Sequence, residues 1–222
     1  MMTNLFSSFD PSTSKLMAYN WCVMILPIIL QPILFWIVPS RNSMLFKMMY
    51  KYINKELYSI LNTKTLNINI LMFSIMTFIM ILNITSLFPF IFSCTSQISV
   101  SLSMALPMWL SLMIFGWTKN YYSMMAHLVP QGTPNMLMPF MVCIESVSNI
   151  IRPMTLSIRL SANMIAGHLL LTLLGSIGPN ANSLIIAMLI SSQLILITLE
   201  SAVAIIQSYV FTILMSLYSS ET

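Results

Sequence analysis

Charged and titratable side chains lie within two long apolar stretches in the second half of the chain. Glu145, Arg152, Arg159 and His168 lie in the first stretch, and Glu200 lies in the second. If these stretches cross a membrane, each central charge costs about 2.5 to 3.5 kcal/mol even on the lenient insertion scale. Intramembrane charges indicate an ion pathway by default. The structural alternative is ion pairs that only fix helix packing, or side chains that reach the membrane surface.

Two of these residues could carry a proton and one could block it. His168 and Glu200 can both bind and release a proton under physiological conditions, so together they could form a relay. Arg159 cannot join that relay, because a guanidinium does not release its proton in a protein. Arg159 is instead a fixed positive charge that repels a moving proton and favours the ionised form of a carboxylate beside it.

Helical spacing divides the polar residues of the first stretch between two faces. At about 100° per residue, one arc of about 80° holds most of the charges, and a second face lies about 120 to 160° from Glu145. The first face comprises Glu145, Asn149, Arg152, Arg159 and Asn163, and the second comprises Ser157, Ser161 and His168. In the second stretch Gln193, Glu200 and Gln207 recur every seven residues and also share one face.

The composition requires lipid as the solvent of these stretches. Of 222 residues, 58% are hydrophobic and 6% are charged, and the mean hydropathy is +0.88. An ordinary soluble domain carries about 25% charged residues, so a soluble catalytic domain is excluded. The basic residues are too few to indicate nucleic-acid binding, and they are better interpreted as topology signals. The scattered cysteines and glycines predict no metal site, no cofactor and no phosphate cradle.

The apolar segments predict an all-α membrane protein that forms a single domain over residues 1–222. A crossing needs roughly 20 apolar residues. The predicted elements are an N-terminal span at 19–38, an amphipathic surface helix at 41–64, a hairpin of two spans at 67–92 and 98–117, and two long, strongly tilted antiparallel helices at 136–174 and 184–217.

Two of these elements have alternatives. Lys47, Lys51 and Lys55 recur every four residues, which favours a helix lying on the membrane surface over a solvated basic loop. The stretch 136–174 would be about 58 Å long as a helix, nearly twice a hydrocarbon core of ~30 Å. It is therefore either one inclined helix or a hairpin that turns at Pro153. The inclined helix is favoured, because a hairpin would leave a first arm of only about 17 residues and would split the polar face.

Basic residues set the expected orientation. Six of them, Arg41, Lys47, Lys51, Lys55, Lys64 and Lys119, fall on one side of the membrane if the first three spans each cross once. The positive-inside rule then puts the N-terminus outside and the C-terminus inside.

The residues around Arg159 and Glu200 resemble subunit a of the proton-translocating ATP synthase membrane sector, in its mitochondrial form. The resemblance rests on RLSANMIAGHLL at 159–170, LESAVAIIQSYVF at 199–211 and the opening FDPST at 9–13, and it extends over the whole chain. It implies a non-catalytic stator subunit of the mitochondrial inner membrane, with its N-terminus in the intermembrane space and its C-terminus in the matrix. It also implies partners: a rotor ring of small carboxylate-bearing subunits, a peripheral stalk and other membrane-sector subunits. Two offset half-channels would deliver protons to the ring and collect them from it.

The resemblance also implies roles for individual residues. Arg159 matches the family's essential arginine, His168 and Glu200 match the relay pair of the inlet, Asn163 and Gln207 match polar neighbours, and Glu145 matches a carboxylate of the matrix-side path. Asn149 and Ser161 are supporting polar candidates, and Arg152 has no assigned role. Two rival functions are a secondary transporter, which would predict internal repeats, and a non-conducting subunit of another respiratory complex.

One packing register would serve both pairs of candidate residues. Residues in contact across two antiparallel helices have nearly constant sums of their numbers, and the sum is 366 for Arg159 with Gln207 and 368 for His168 with Glu200. The sequence therefore predicts that Gln207 lies beside Arg159 and that His168 lies within about 6 Å of Glu200, close enough for direct or water-mediated proton exchange. A turn centred between the two helices would give a sum near 358, so this register also requires a lopsided connection, with the last helix starting several residues late.

Overall fold

The computed structural model describes most of the chain as helices joined by short connections. The described residues are 5–12, 18–32, 38–61, 66–88, 91–119, 121–129, 134, 136–178 and 182–221, and none of them forms a strand. Four helices in this part of the chain are long and apolar enough to cross a membrane. The predicted fold class, an all-α membrane protein, is confirmed.

The N-terminal segment is less regular than predicted. A 3₁₀ turn covers Leu5–Phe9, and a second one at Tyr19–Ile25 continues into α1, Leu26–Leu30. The helix stops at Gln31, whose backbone is extended (φ −70°, ψ 126°), because a residue before proline avoids the helical region. The 12 helical residues, seven of them in the 3₁₀ turn, span only about 21 Å, less than a hydrocarbon core. Because residues 33–37 lie outside the described residues, the crossing at 19–38 stays a prediction.

Helix α2, Arg41–Leu61, confirms the helix predicted at 41–64 as far as it is described. Ile53 and Leu57 are buried against the rest of the protein, whereas Lys51 and Lys55 are exposed. This division is the amphipathic pattern that the lysine spacing predicted. Helix α2 packs on α3 and α7. Its position on a membrane surface stays a prediction.

Helices α3, Leu66–Ser86, and α4, Ile98–Lys119, correspond to the predicted spans at 67–92 and 98–117. Helix α3 ends six residues earlier than predicted. The connection contains a buried 3₁₀ turn at Cys94–Ser96, and burial raises the pKa of the Cys94 thiol to about 11. The main contacts of the two helices are not with one another, because α3 packs mostly on α7 and α4 mostly on α6. A short helix, α5 at Tyr121–His127, lies in what the sequence predicted as a plain connection.

The two longest helices are continuous. Helix α6 spans Met138–Ile177, 40 residues, and α7 spans Ser183–Glu221, 39 residues. Pro153 lies inside α6 and is buried, so the chain does not turn back there and the hairpin alternative is wrong. Each helix is about 60 Å long, twice the hydrocarbon thickness, and must cross inclined or extend past the bilayer.

A hydrophobic core forms where five helices meet. It contains Ile53 and Leu57 of α2, Met72, Met76 and Ile79 of α3, Ala105 of α4, Leu156 and Leu160 of α6, and Phe211 and Met215 of α7. The core fixes the long helices against α2, α3 and α4. The polar faces of α6 and α7 are thereby held in constant positions.

Candidate functional site

The polar residues of α7 face α6 at three points along an antiparallel pair. The side-chain amide of Asn163 donates a hydrogen bond to Oε1 of Gln207 at 3.3 Å. Further along the pair, Gly167 adjoins Glu200, and Gly175 adjoins Gln193. The sums of these residue numbers are 370, 367 and 368, close to the predicted 366 to 368. The antiparallel packing of the two long helices is confirmed, and all three members of the α7 polar face point towards α6.

The carboxylate of Glu200 lies directly against the backbone of Gly167. A Cβ atom placed on Gly167 would lie 2.6 Å from Oε1 and 2.7 Å from Cδ of Glu200. Only a residue without a side chain leaves room for the carboxylate at this place. Glu200 is 9% exposed, so an ionisable group is held inside the helix pair. Gly167 directly precedes His168, so the carboxylate meets α6 next to the predicted relay partner.

His168 is half-buried and packs against the N-terminal segment. The rings of Phe9 and His168 meet edge to face, with 6.3 Å between centroids and an interplanar angle of 88°. Nε2 of His168 and Oε1 of Glu200 are both buried, and neither has a hydrogen-bond partner among the described residues. Buried polar atoms of this kind call for an explanation, and proton exchange is one. A direct His168–Glu200 contact stays a prediction.

Unlike the buried Glu200, Arg159 has an exposed side chain. It has 21 residues of α6 before it and 18 after it, so it lies near the middle of the helix. Asn163, one turn further along the same face, is exposed as well. Gln207 meets Asn163, and its predicted position beside Arg159 stays a prediction.

Ser161 does not belong to the exposed face. It is 2% exposed, and its hydroxyl donates to the carbonyl of Ile158 in its own helix at 3.1 Å. Ser157 is fully buried and bonds Met154 in the same way. Both hydroxyls are satisfied locally, as is common for serine within membrane helices. Because Ser161 is buried, it has a packing position inside the protein and not a place on the exposed polar face.

Glu145 and Asn149 line a cavity of about 630 Å³ between α4, α5, α6 and α7. Oε1 of Glu145 forms an ion pair with Nη2 of Arg152 at 3.5 Å, and both side chains are partly exposed. The Arg152 guanidinium also lies 5.3 Å from the centre of the Tyr218 ring, close enough for a cation–π interaction. The cavity therefore combines a carboxylate, a guanidinium and an amide with aromatic and aliphatic walls.

Three contributors to these sites were missed by the sequence reasoning. Arg152 was placed on the right face but was given no functional role, and its ion pair with Glu145 was foreseen only within the general alternative of ion pairs that fix helix packing. Gly167 gave no signal beyond its place beside His168. Phe9 could not have been found by periodicity, because it lies outside every periodic segment.

The fold and the site together define a class: a multi-pass helical membrane protein with ionisable groups inside its longest helices. Comparison with known proteins gives the family. A family profile described as ATP synthase A chain matches residues 17–220. The proteins named ATP synthase subunit a from Anopheles gambiae and Locusta migratoria are 52% and 51% identical to this chain over 224 and 223 residues. The protein of that name from Drosophila melanogaster is 50% identical over 222 residues. Each alignment covers 100% of this chain and 99% of the relative. The chain belongs to the ATP synthase subunit a family.

Proposed function

We propose that this chain is the proton-conducting stator subunit of a rotary ATP synthase in the mitochondrial inner membrane. It provides two offset half-channels to a rotor ring, and Arg159 separates them. The chain itself is not catalytic, and ATP chemistry belongs to partner subunits of the complex. The family assignment favours this function over a secondary transporter or a non-conducting subunit of another respiratory complex.

The exposed position of Arg159 carries the proposal. Lipid is an unfavourable neighbour for a guanidinium in mid-membrane, at a cost of at least about 2.5 kcal/mol. Arg159 lies 18 residues from the nearer end of α6, about 27 Å along the helix axis, which is farther than an arginine side chain reaches. Another protein surface that offers a carboxylate relieves this cost. A ring of small subunits, each bearing one carboxylate, is such a surface.

Position along α6 supports two separate half-channels. Glu145 lies 14 residues before Arg159, about 21 Å along the axis, and His168 lies nine residues after it, about 13.5 Å in the other direction. Glu145 opens into the cavity between α4 and α6, whereas His168 and Glu200 lie at the α6–α7 contact. A proton reaching Glu200 through His168 is thus kept from Glu145 by a fixed positive charge. Transfer to the ring and rotation is the remaining route.

The positive-inside rule indicates which side of the membrane each half-channel opens to. The exposed lysines of α2 face the matrix, which puts Glu145 on the matrix side and His168 with Glu200 on the intermembrane side. The N-terminus is then in the intermembrane space and the C-terminus in the matrix. A proton crossing 100 mV releases about 2.3 kcal/mol, and this energy drives rotation only while the two half-channels remain separate.

The test is removal of the barrier charge in the assembled complex. Complexes with Arg159→Ala and Arg159→Lys, reconstituted in liposomes, are assayed for ATP-driven acidification and for passive proton leak. We expect both variants to lose coupled proton flow, and the alanine variant also to leak, because the fixed charge no longer separates the half-channels. Lys55→Ala removes an exposed cation of α2 and is the matched control, with flow expected to be unchanged. Normal coupled flow in Arg159→Ala would exclude the proposed function.

A further inference from the structure

The N-terminal 3₁₀ turn, Leu5–Phe9, packs on α6 at the level of His168. The ring of Phe9 meets the imidazole edge to face, the favoured arrangement for two aromatic rings. Phe9 itself is half-buried, whereas Phe6 of the same turn is 67% exposed. Of the two phenylalanine side chains in this turn, Phe9 therefore contacts the site, whereas Phe6 faces away from the protein.

Hydrogen bonds from separate parts of the chain hold this segment in place. Nε2 of Gln97, the residue directly before α4, donates to the backbone carbonyl of Phe9 at 2.9 Å. The side-chain amide of Asn20 donates to the carbonyl of Asp10 at 3.4 Å. The Asp10 carboxylate in turn accepts the backbone N–H of Ser12 at 3.0 Å, an Asx turn that closes the segment. Phe9 is thus anchored through its own backbone next to His168.

We propose that this N-terminal turn is a fixed wall of the proton inlet, in which Phe9, held by Gln97, is a positioning residue for His168. The inference rests on the proposed function, because it assigns Phe9 a part in the relay of His168 and Glu200. The Phe9 ring packs against the imidazole of His168 and restricts the rotation of the imidazole. It also keeps lipid and bulk water away from the face of His168 that it covers. The buried Nε2 atom then stays inside the protein, where the carboxylate of Glu200 also lies.

Shielding of His168 is measured independently of proton flow. The intact complex is treated with diethyl pyrocarbonate, which acylates accessible imidazole nitrogens, and the peptides are quantified by mass spectrometry. We expect Phe9→Ala to raise the labelling rate of His168 severalfold and Gln97→Leu to raise it less. Phe9→Tyr restores protection because it retains the ring, and Phe6→Ala is the matched control without effect. Labelling of His127, the other histidine of the chain, serves as the reference.

Proton flow in the same variants tests the positioning role. Phe9→Ala is expected to slow ATP-driven acidification about tenfold per assembled complex, with no passive leak because Arg159 is intact, and Phe9→Tyr is expected to recover most of the rate. Unchanged labelling of His168 in Phe9→Ala would overturn the proposal. It would also be overturned if Phe9→Ala conducts normally while His168→Gln does not conduct. If His168→Gln itself conducts normally, the proposed relay is what fails, so the two failures are distinguishable.

Discussion

Gly167→Ala should move the carboxylate of Glu200 and slow proton transfer. The added methyl carbon would lie 2.6 Å from Oε1, whereas ordinary contacts begin at 3.4 Å. The carboxylate must therefore retreat by about 0.8 Å, which it can do because it is the end of a flexible side chain. Misplacement by about 1 Å in a transfer geometry costs up to ~10²-fold in rate. We expect a reduction of about 10- to 100-fold, equivalent to ~1.4 to 2.7 kcal/mol in the barrier.

Other glycines of the same region provide matched controls. A Cβ atom on Gly175 would lie 3.9 Å from Nε2 of Gln193, an ordinary contact, and one on Gly178 would have no atom within 4 Å. Alanine is the better helix former by up to about 1 kcal/mol, so loss of helix stability does not explain a defect in Gly167→Ala. Gly175→Ala and Gly178→Ala should both conduct normally.

The assay is ATP-driven acidification of liposomes that contain the complex, normalised to assembled complex and to ATP hydrolysis with an uncoupler. Glu200→Asp shortens the side chain by about one carbon–carbon bond, so it should restore part of the rate when it is combined with Gly167→Ala. Such a double-mutant cycle isolates the contact between the two residues. Normal flow in Gly167→Ala, or an equal defect in Gly175→Ala, would refute the reasoning.

Three further predictions concern other parts of the chain. Glu145→Gln should slow proton release on the matrix side without passive leak, since the barrier charge remains; leak in liposomes carrying this variant would contradict the assignment. Replacing Asn163 and Gln207 singly and together by leucine should give a coupling of about 0.6 to 1.5 kcal/mol in thermal unfolding of the complex, and additive effects would show that their hydrogen bond contributes nothing. Because burial raises the pKa of Cys94 to about 11, only about one in a thousand of its thiols is ionised at pH 8. Maleimide should therefore label Cys94 far more slowly in the native complex than in SDS. Equal labelling rates would disprove burial of the thiol.

Hydropathy and helical spacing predicted most of the helices, but not whether a helix continues through a proline or where the last helix begins. The long helices were located to within a few residues, because the boundary of an apolar run is a direct consequence of membrane thickness. Continuity through Pro153 could not be decided, because a membrane helix tolerates proline and a hairpin also uses it. The predicted late start of the last helix was wrong. Helix α7 begins at Ser183, and its exposed first turns run on beyond the part that packs against α6.

The candidate site was predictable where it depends on periodicity. The polar face of α7 was predicted to lie against α6. This prediction came from the seven-residue spacing of Gln193, Glu200 and Gln207 and from the constant sum of residue numbers across antiparallel helices. The meeting of Gln207 with Asn163 was not predicted, because Asn163 lies one helical turn beyond Arg159 on the same face and a constant sum does not separate the two. The contact of Phe9 with His168 depends on an irregular segment folding back on a distant helix, and no local pattern encodes it.

The pairing of α3 with α7 and of α4 with α6 has a consequence for biogenesis. Helix α3 packs mostly on α7, so it cannot complete its contacts until α7 has left the ribosome, whereas α4 can pack on α6 earlier. Until then the buried amide of Asn83, which reaches the backbone of Ala204 in α7 at 3.5 Å, has not met its native acceptor. During synthesis the nascent chain is thus a partly assembled bundle, in which α3 still exposes the surface that α7 later covers.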